Sequence, residues 1–343
     1  MAIVTGQPDT ENTSSSAKSI GGSDRRFNLQ GAGLTVVLVA LALLFTWINP
    51  RFATLSNLAN VLTQSSTYVI VAMGMTFVIS KAGIDLSVGS LLALVTCVFF
   101  GMVDGGSPWG LALIVMFGLA IALGALNGAL VAFLAIPALI ATLGTMVAFR
   151  GAALLHSAGE LYFGLPGPIL WLGQGAVFGI PVPILVAALF VAFSFWLFNH
   201  TSFGLHVRAV GGNRESARLA GINVQRIEVL TYALMGFAVA LGGLLWMARI
   251  DGTQATMGTA MEIHVIAAVI IGGTSLFGGR GTIYGSLLGA ILLSMLNNAL
   301  VIAGVEFFWQ LVAIGAIVIA AVTINNFREN RIPWLRKIGG RRS

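Results

Sequence analysis

The chain has 343 residues, 57% of them apolar and 9% charged, with a formal net charge of +6. A soluble domain carries about 25% charged residues, and so few charges cannot cover a water-facing surface. A soluble enzyme, a disordered protein and a nucleic-acid-binding module are thereby excluded, which leaves a polytopic membrane protein. The apolar residues run in long blocks, as helical spans require, and do not alternate as barrel strands do. The expected fold is all-α.

Residues 1–30 read as a polar tail, rich in Ser, Thr and Gly, with Lys18, Arg25 and Arg26 ahead of the first apolar block. That block, from Gly31 to Asn49, is too long for a signal-peptide core and reads as a retained span. Ten spans are expected, near 31–49, 57–80, 87–103, 109–134, 137–157, 181–199, 228–249, 263–279, 283–303 and 307–324. The transmembrane domain is therefore 31–324, and 325–343 is a basic tail. Glycine-rich interruptions at 81–86 and 276–282 are too short for ordinary loops and suggest broken spans. An even number of spans puts both tails on one side, which then holds fifteen of the eighteen Lys and Arg residues. The other side, or span ends facing it, keeps Arg51, Arg150 and Arg249. By the positive-inside rule both termini and the segment 200–227 are cytoplasmic.

Two segments suggest an internal duplication. Residues 69–94 align without gaps to 265–290, matching Val69 to Val265, Gly83 to Gly279 and Gly89-Ser90-Leu91-Leu92 to Gly285-Ser286-Leu287-Leu288. A second echo, LNGALV at 126–131 and LNNALV at 296–301, has a different offset, so one duplication does not account for both.

Intramembrane ionisable and polar residues are the candidates for function. Asp85, with Lys81 four residues earlier, either lines a pathway or pairs with Lys81 at the membrane edge. Ser87, Asn127, Asn297 and Gln310 are candidates for a hydroxyl-lined path, and Asn298 shares their setting; such residues also serve helix–helix hydrogen bonding. Arg150 either snorkels or pairs with Glu160. Trp171, Trp196, Trp246 and Trp309 read as interfacial aromatics, not as sugar-stacking platforms. Cys97 is the single cysteine and the four histidines are scattered, so no disulfide, metal or cofactor is expected. The segment Gly273–Thr282 has spaced glycines, but Gly279 stands where a phosphate-binding loop needs lysine. No nucleophile–base constellation appears, and no catalytic residue is assigned.

The largest polar island is 200–227. Within it Asn213 is a suitable N-cap for a short helix over Arg214–Ala220, closed by Gly221 at the C′ position, with Glu215 in the first turn. Two readings stand: a solvated loop whose arginines set topology, and a lever that contacts a cytoplasmic partner.

This loop, followed by TYALMGFAVALGGLLWMARI, resembles the permeases of bacterial ABC-type sugar importers of the ribose, xylose and arabinose group. So do GMTFVISKAGIDLSVGS at 74–90, IPALIATLGTMVAFRGAALL at 136–155 and EIHVIAAVIIGGTSLFGGRGT at 262–282, and the likeness runs over about residues 50–325. The resemblance implies a permease subunit with no catalysis of its own, working by alternating access in the direction of import. It implies a second permease chain (identical or related), two cytoplasmic ATPase subunits, a periplasmic sugar-binding protein and residence in the bacterial cytoplasmic membrane. Gly212, Asn213, Arg214, Glu215, Arg218 and Gly221 then belong to the coupling helix that docks on the ATPase. One departure is His264, which stands where the family's usual block, E-L-D-A-I-A-A-V, carries an acid. The alternative is a secondary transporter driven by an ion gradient. Such carriers hold carboxylates deep in their spans, and Asp85 is the single acidic candidate, at a break.

Overall fold

The computed structural model describes residues 22–306 and, beyond them, positions 308–310, 312, 313, 315, 316, 319 and 323. Among the described residues the chain forms twelve α-helices, one 3₁₀ turn and four strands of two residues each. The helices are α1 (Gly22–Ile48), α2 (Leu55–Ser80), α3 (Val88–Asp104), α4 (Trp109–Phe133), α5 (Ala138–Ser157), α6 (Gly167–Gln174), α7 (Val182–His200), α8 (Ser202–Gly212), α9 (Arg214–Leu219), α10 (Val224–Ile250), α11 (Met261–Ile271) and α12 (Ile283–Ile302). Six of them, α2, α4, α5, α7, α10 and α12, are long and apolar enough to cross a membrane. Three shorter apolar helices, 33–48 within α1, α3 and α11, fall on further expected spans. The tenth, 307–324, lies partly outside the described residues, and its described positions are helical. The tail 325–343 and residues 1–21 also lie outside them. Helix α1 begins at Gly22, nine residues before the expected span.

The expected span 263–279 is corrected. Its helix, α11, stops at Ile271 after 11 residues, about 16 Å at 1.5 Å per residue, which is half the hydrocarbon thickness of about 30 Å. It stops because Gly273 turns left-handed at φ +90°. The Gly273 amide then donates to the Ile270 carbonyl and the Thr274 amide to the Val269 carbonyl. The same pair of bonds ends α2, where the amides of Ala82 and Gly83 donate to the carbonyls of Ile79 and Val78. Ala82 there takes a left-handed φ of +66°, a position usually given to glycine. Both interruptions are thus true breaks with satisfied helix ends.

The core is organised around α2 and α10. Every residue of α2 from Val69 to Ser80 is buried. Helix α10 has 27 residues, about 40 Å, and crosses α4 on glycine. A Cβ on Gly124 would strike the Tyr232 carbonyl, one on Gly236 the Ala120 carbonyl, and one on Gly128 would lie 2.7 Å from the Val229 Cα. Small residues let helix backbones meet in this way where the hydrophobic effect gives no drive.

Glycine also grips α11 at both ends. A Cβ on Gly89, at the start of α3, would strike the Gly258 carbonyl just before α11, and one on Gly285, at the start of α12, the carbonyl of Gly272 just after it. The matched Gly-Ser-Leu-Leu runs therefore occupy matched places. The other echo does not: Gly128 packs on α10, whereas its counterpart Asn298 exchanges amide hydrogen bonds of 3.0 and 3.1 Å with Asn57 of α2.

At the end of α10 remote from α9, strand Tyr162–Phe163 pairs with Gly252–Thr253, and the Leu165 amide donates to Asp251 Oδ1 at 2.8 Å. Arg150 neither snorkels nor meets Glu160. Its guanidinium donates to the carbonyls of Ala255 and Met257, fastening α5 to the segment between α10 and α11.

Candidate functional site

Helix α9 forms where its caps predict. Asn213 Oδ1 accepts from the Ser216 amide at 2.8 Å, and Gly221, at φ +83°, closes the other end. There the Gly221 amide donates to the Arg218 carbonyl and the Ile222 amide to that of Ala217. Glu215 and Arg218 are exposed and bonded to each other, at 2.6 and 3.0 Å. The Arg218 guanidinium holds the Glu215 carboxyl below the usual carboxylate range. Helix α8, which precedes α9, is absent from the sequence reading. Its signals are the Thr201 cap and the buried Val207 and Val210, three residues apart.

Arg214, the first residue of α9, points the other way. Its guanidinium donates to Glu228 Oε1 at 3.0 Å, while Glu228 Oε2 takes the Lys81 ammonium. Lys81 also sits over the Tyr232 ring, 4.3 Å from its centroid, and the Tyr232 hydroxyl donates to the Ile84 carbonyl at 3.1 Å. Of the two readings of Asp85, pairing with Lys81 is corrected: the lysine's carboxylate is Glu228, 147 residues away. Glu228 is 2% exposed and Lys81 4%, so the pair is buried, and it is tolerated because each charge has a partner. A cavity of about 490 Å³ opens beside these three residues, bounded by Ala135–Pro137 and Gly211–Asn213.

Backbone contacts reinforce this junction. The Gly279 amide donates to the Ser80 carbonyl at 2.8 Å. A Cβ on Gly211, at the end of α8, would strike that same carbonyl, and one on Gly278 would lie 2.7 Å from the Gly211 carbonyl. Gly212 lies beside Gly279, whose Cβ would stand 3.1 Å from the Gly212 Cα. The chain leading into α9 therefore touches both breaks with no side chain between.

Asp85, Ser87 and Asn127 form a closed cluster. Asp85 Oδ1 accepts from the Ser87 amide at 2.9 Å and from the Ser87 hydroxyl at 2.7 Å, and Asn127 Nδ2 donates to the Ser87 oxygen at 2.9 Å. All three are at most 1% exposed. They line neither of the two cavities described here. The bonds join the start of α3 to α4 and bridge the first break.

Asn297 and Gln310 instead line a cavity of about 420 Å³ at the end of α10 remote from α9. Tyr68, Trp246 and His264 line it too, with the Tyr68 ring tilted against both, 6.0 Å from Trp246 and 5.6 Å from His264, centroid to centroid. Trp246 is therefore not a simple interfacial anchor, whereas Trp171, Trp196 and Trp309 are each at least half exposed. The five pathway candidates divide into a sealed cluster and a cavity wall.

The family model described as branched-chain amino acid transport system / permease component matches residues 57–322. The chain belongs to this permease family. Among its relatives is the ribose import permease of Haemophilus influenzae, 38% identical over 296 residues, covering 85% of this chain and 92% of the relative. The D-allose transport system permease of Escherichia coli K12 is 35% identical over 295 residues, 85% of this chain and 90% of the relative. The xylose transport system permease of the same strain is 32% identical over 371 aligned positions, 90% and 94% of the two chains. No solved structure matches the permease. Glu228 is the residue of the site that the sequence reading missed. Its one local signal is a carboxylate in the first turns of an otherwise apolar helix, and the premise that Asp85 is the single buried acid falls with it.

Proposed function

We propose that the chain is the membrane-spanning permease subunit of an ATP-binding-cassette importer, carrying a monosaccharide inward by alternating access. Ribose, allose and xylose are the sugars named for its relatives. ATP hydrolysis belongs to partner ATPase subunits, and a binding protein delivers the sugar. A second permease chain completes the path. Both termini and α9 face the cytoplasm.

The observation that carries the mechanism is the bond series Arg214–Glu228–Lys81. Helix α9 presents Glu215 and Arg218 outward, where a partner ATPase engages them, and Asn213 and Gly221 fix its two ends. Arg214 turns inward to a buried carboxylate that also holds the end of α2. A displacement of α9 is thus passed to the first break through two ion pairs, and to both breaks through Gly211 and Gly212. The ATP-bound partner must favour one facing state over the other for this to drive transport. Among the described residues Glu228 is committed to two cations, and Asp85 bonds Ser87 through Oδ1.

The test is co-purification in mild detergent followed by uptake of D-ribose, D-allose and D-xylose into proteoliposomes. The double variant Glu215→Arg/Arg218→Glu keeps an ion pair within α9 but reverses the charges shown to the partner. It should remain folded, lose the ATPase on purification and take up no sugar. Normal uptake by that variant would sink the proposal.

A further inference from the structure

The cavity between α2, α10 and α11 has a chemistry of its own. No Asp, Glu, Lys or Arg stands among the described residues that line it. A zwitterion or an anion entering there would lose hydration, a cost of several kcal/mol or more, with no opposite charge in the wall itself, Arg249 acting only from beyond Tyr68. The cavity therefore selects a neutral ligand. Its volume of about 420 Å³ lies in the ordinary range for small-molecule sites, about 300–1,000 Å³.

One wall is aromatic, and the rest mixes neutral polar groups with the apolar Leu161, Ile250 and Met257. Tyr68 and Trp246 present ring surface, which takes an apolar C–H face. His264 Nδ1 lies 3.2 Å from the Ala260 carbonyl. A ring nitrogen facing a carbonyl carries the proton, so Nε2 is left to accept a hydrogen bond. Gln310 spends its amide nitrogen on the Val305 carbonyl at 2.8 Å, and Asn297 brings a further amide. A molecule with one apolar face and a rim of hydroxyls matches this set, as an aliphatic amino acid does not.

We infer that this cavity is a monosaccharide-binding subsite within the permease chain itself, with Trp246 and Tyr68 as its stacking wall and His264, Asn297 and Gln310 addressing the hydroxyl rim. The inference rests on the proposed sugar-import reading and adds where the sugar pauses. On this reading His264 serves as a neutral hydrogen-bonding group.

The test places a thiol at the exposed Thr256, which lines the same cavity. In the full complex, Thr256→Cys in a Cys97→Ser background is alkylated with a maleimide while D-ribose, D-allose, D-xylose or L-leucine is raised. The transported sugar should slow alkylation and L-leucine should not. Trp246→Ala should raise the protecting sugar concentration about tenfold, equivalent to about 1.4 kcal/mol of lost contact; Trp246→Phe, which keeps a ring, should restore most of it. If the complex transports a sugar that never protects the introduced thiol, the subsite is overturned while the import reading stands. If L-leucine protects and no sugar does, the subsite is again overturned. Absence of all sugar uptake with a sugar still protecting overturns the import reading and leaves the subsite in place.

Discussion

At the α9 end of the bundle, three charges and four glycines meet within one junction: the exposed Arg214 joins the buried pair Glu228 and Lys81, and Gly211, Gly212, Gly278 and Gly279 bring α8 against both breaks. At the opposite end the contacts are two-residue strands, an amide exchange between Asn57 and Asn298, and aromatic rings around an open cavity. The first end has strong, short-range, direction-dependent contacts that move as one piece. The second has no buried ion pair among the described residues: its charged groups, Asp251 and Arg150, bond backbone amide and carbonyl groups. On the proposed reading this asymmetry suits a transporter driven from one side, because force must arrive without loss where a partner ATPase docks and the substrate end must open and close cheaply.

Removing the central carboxylate is the most severe way to break the comparison. Glu228→Ala leaves Lys81 buried without a counter-charge, a loss of about 3–5 kcal/mol. Glu228→Gln keeps one acceptor oxygen for one of the two cations but faces the other with an amide donor, and should be milder than Glu228→Ala. The double variant Lys81→Met/Glu228→Leu, which removes the buried pair entirely, should recover thermal stability in detergent but not sugar uptake. Recovery of uptake would show that the series is a structural staple with no part in transmission.

The glycine contacts come next. Gly211→Ala drives a methyl into the Ser80 carbonyl, and overpacking of this kind costs about 1–3 kcal/mol. Its uptake should fall more than its melting temperature, because the contact links α8 to the break that α9 must move. Gly118→Ala in α4, where a Cβ meets nothing within 4 Å, is the control and should match the wild type in both assays.

The far end should respond less. Replacing Asn57 and Asn298 together by Leu removes the amide exchange and the Asn57 bond to the Phe52 carbonyl at 3.0 Å. Interhelical hydrogen bonds of this type average about 0.6 kcal/mol in membranes, so the double variant should lose one to two times that amount. A loss as large as that of Glu228→Ala would erase the distinction between the ends.

What the sequence reveals follows the same division between local and distant causes. Helix α9 was legible to within one residue, expected over Arg214–Ala220 and found over Arg214–Leu219, since Asn213 and Gly221 act on nearby backbone groups. The two breaks were legible as glycine-rich interruptions. That α11 is a half-length helix was not, because its apolar run continues through Leu276 and Phe277 and the turn at Gly273 is fixed by one dihedral angle. Lys81 and Asp85 are neighbours in sequence, yet Lys81 bonds a residue on α10 and Asp85 bonds Ser87. Pairing across 147 positions leaves no periodic trace. Trp246 failed for a related reason: one helix end looks alike whether lipid or a cavity faces it, and Tyr68 and His264, which decide the matter, lie on two other helices.

The smallest effect belongs to the exposed pair on α9. Glu215 and Arg218 are bonded in water, where such pairs contribute little to stability, so Arg218→Ala should leave the melting temperature at neutral pH unchanged. Its consequence lies in titration. Arg218 holds the Glu215 carboxyl below its ordinary value. The helix support given by the pair is therefore complete at pH values above the ordinary carboxylate range and is lost as pH falls through the depressed value. In the Arg218→Ala variant, Glu215 should return towards the ordinary range, read by carbon NMR of labelled glutamate in detergent. A Glu215 that titrates alike with and without Arg218 would mean that the pair is not maintained in solution, and that α9 shows its partner two independent charges.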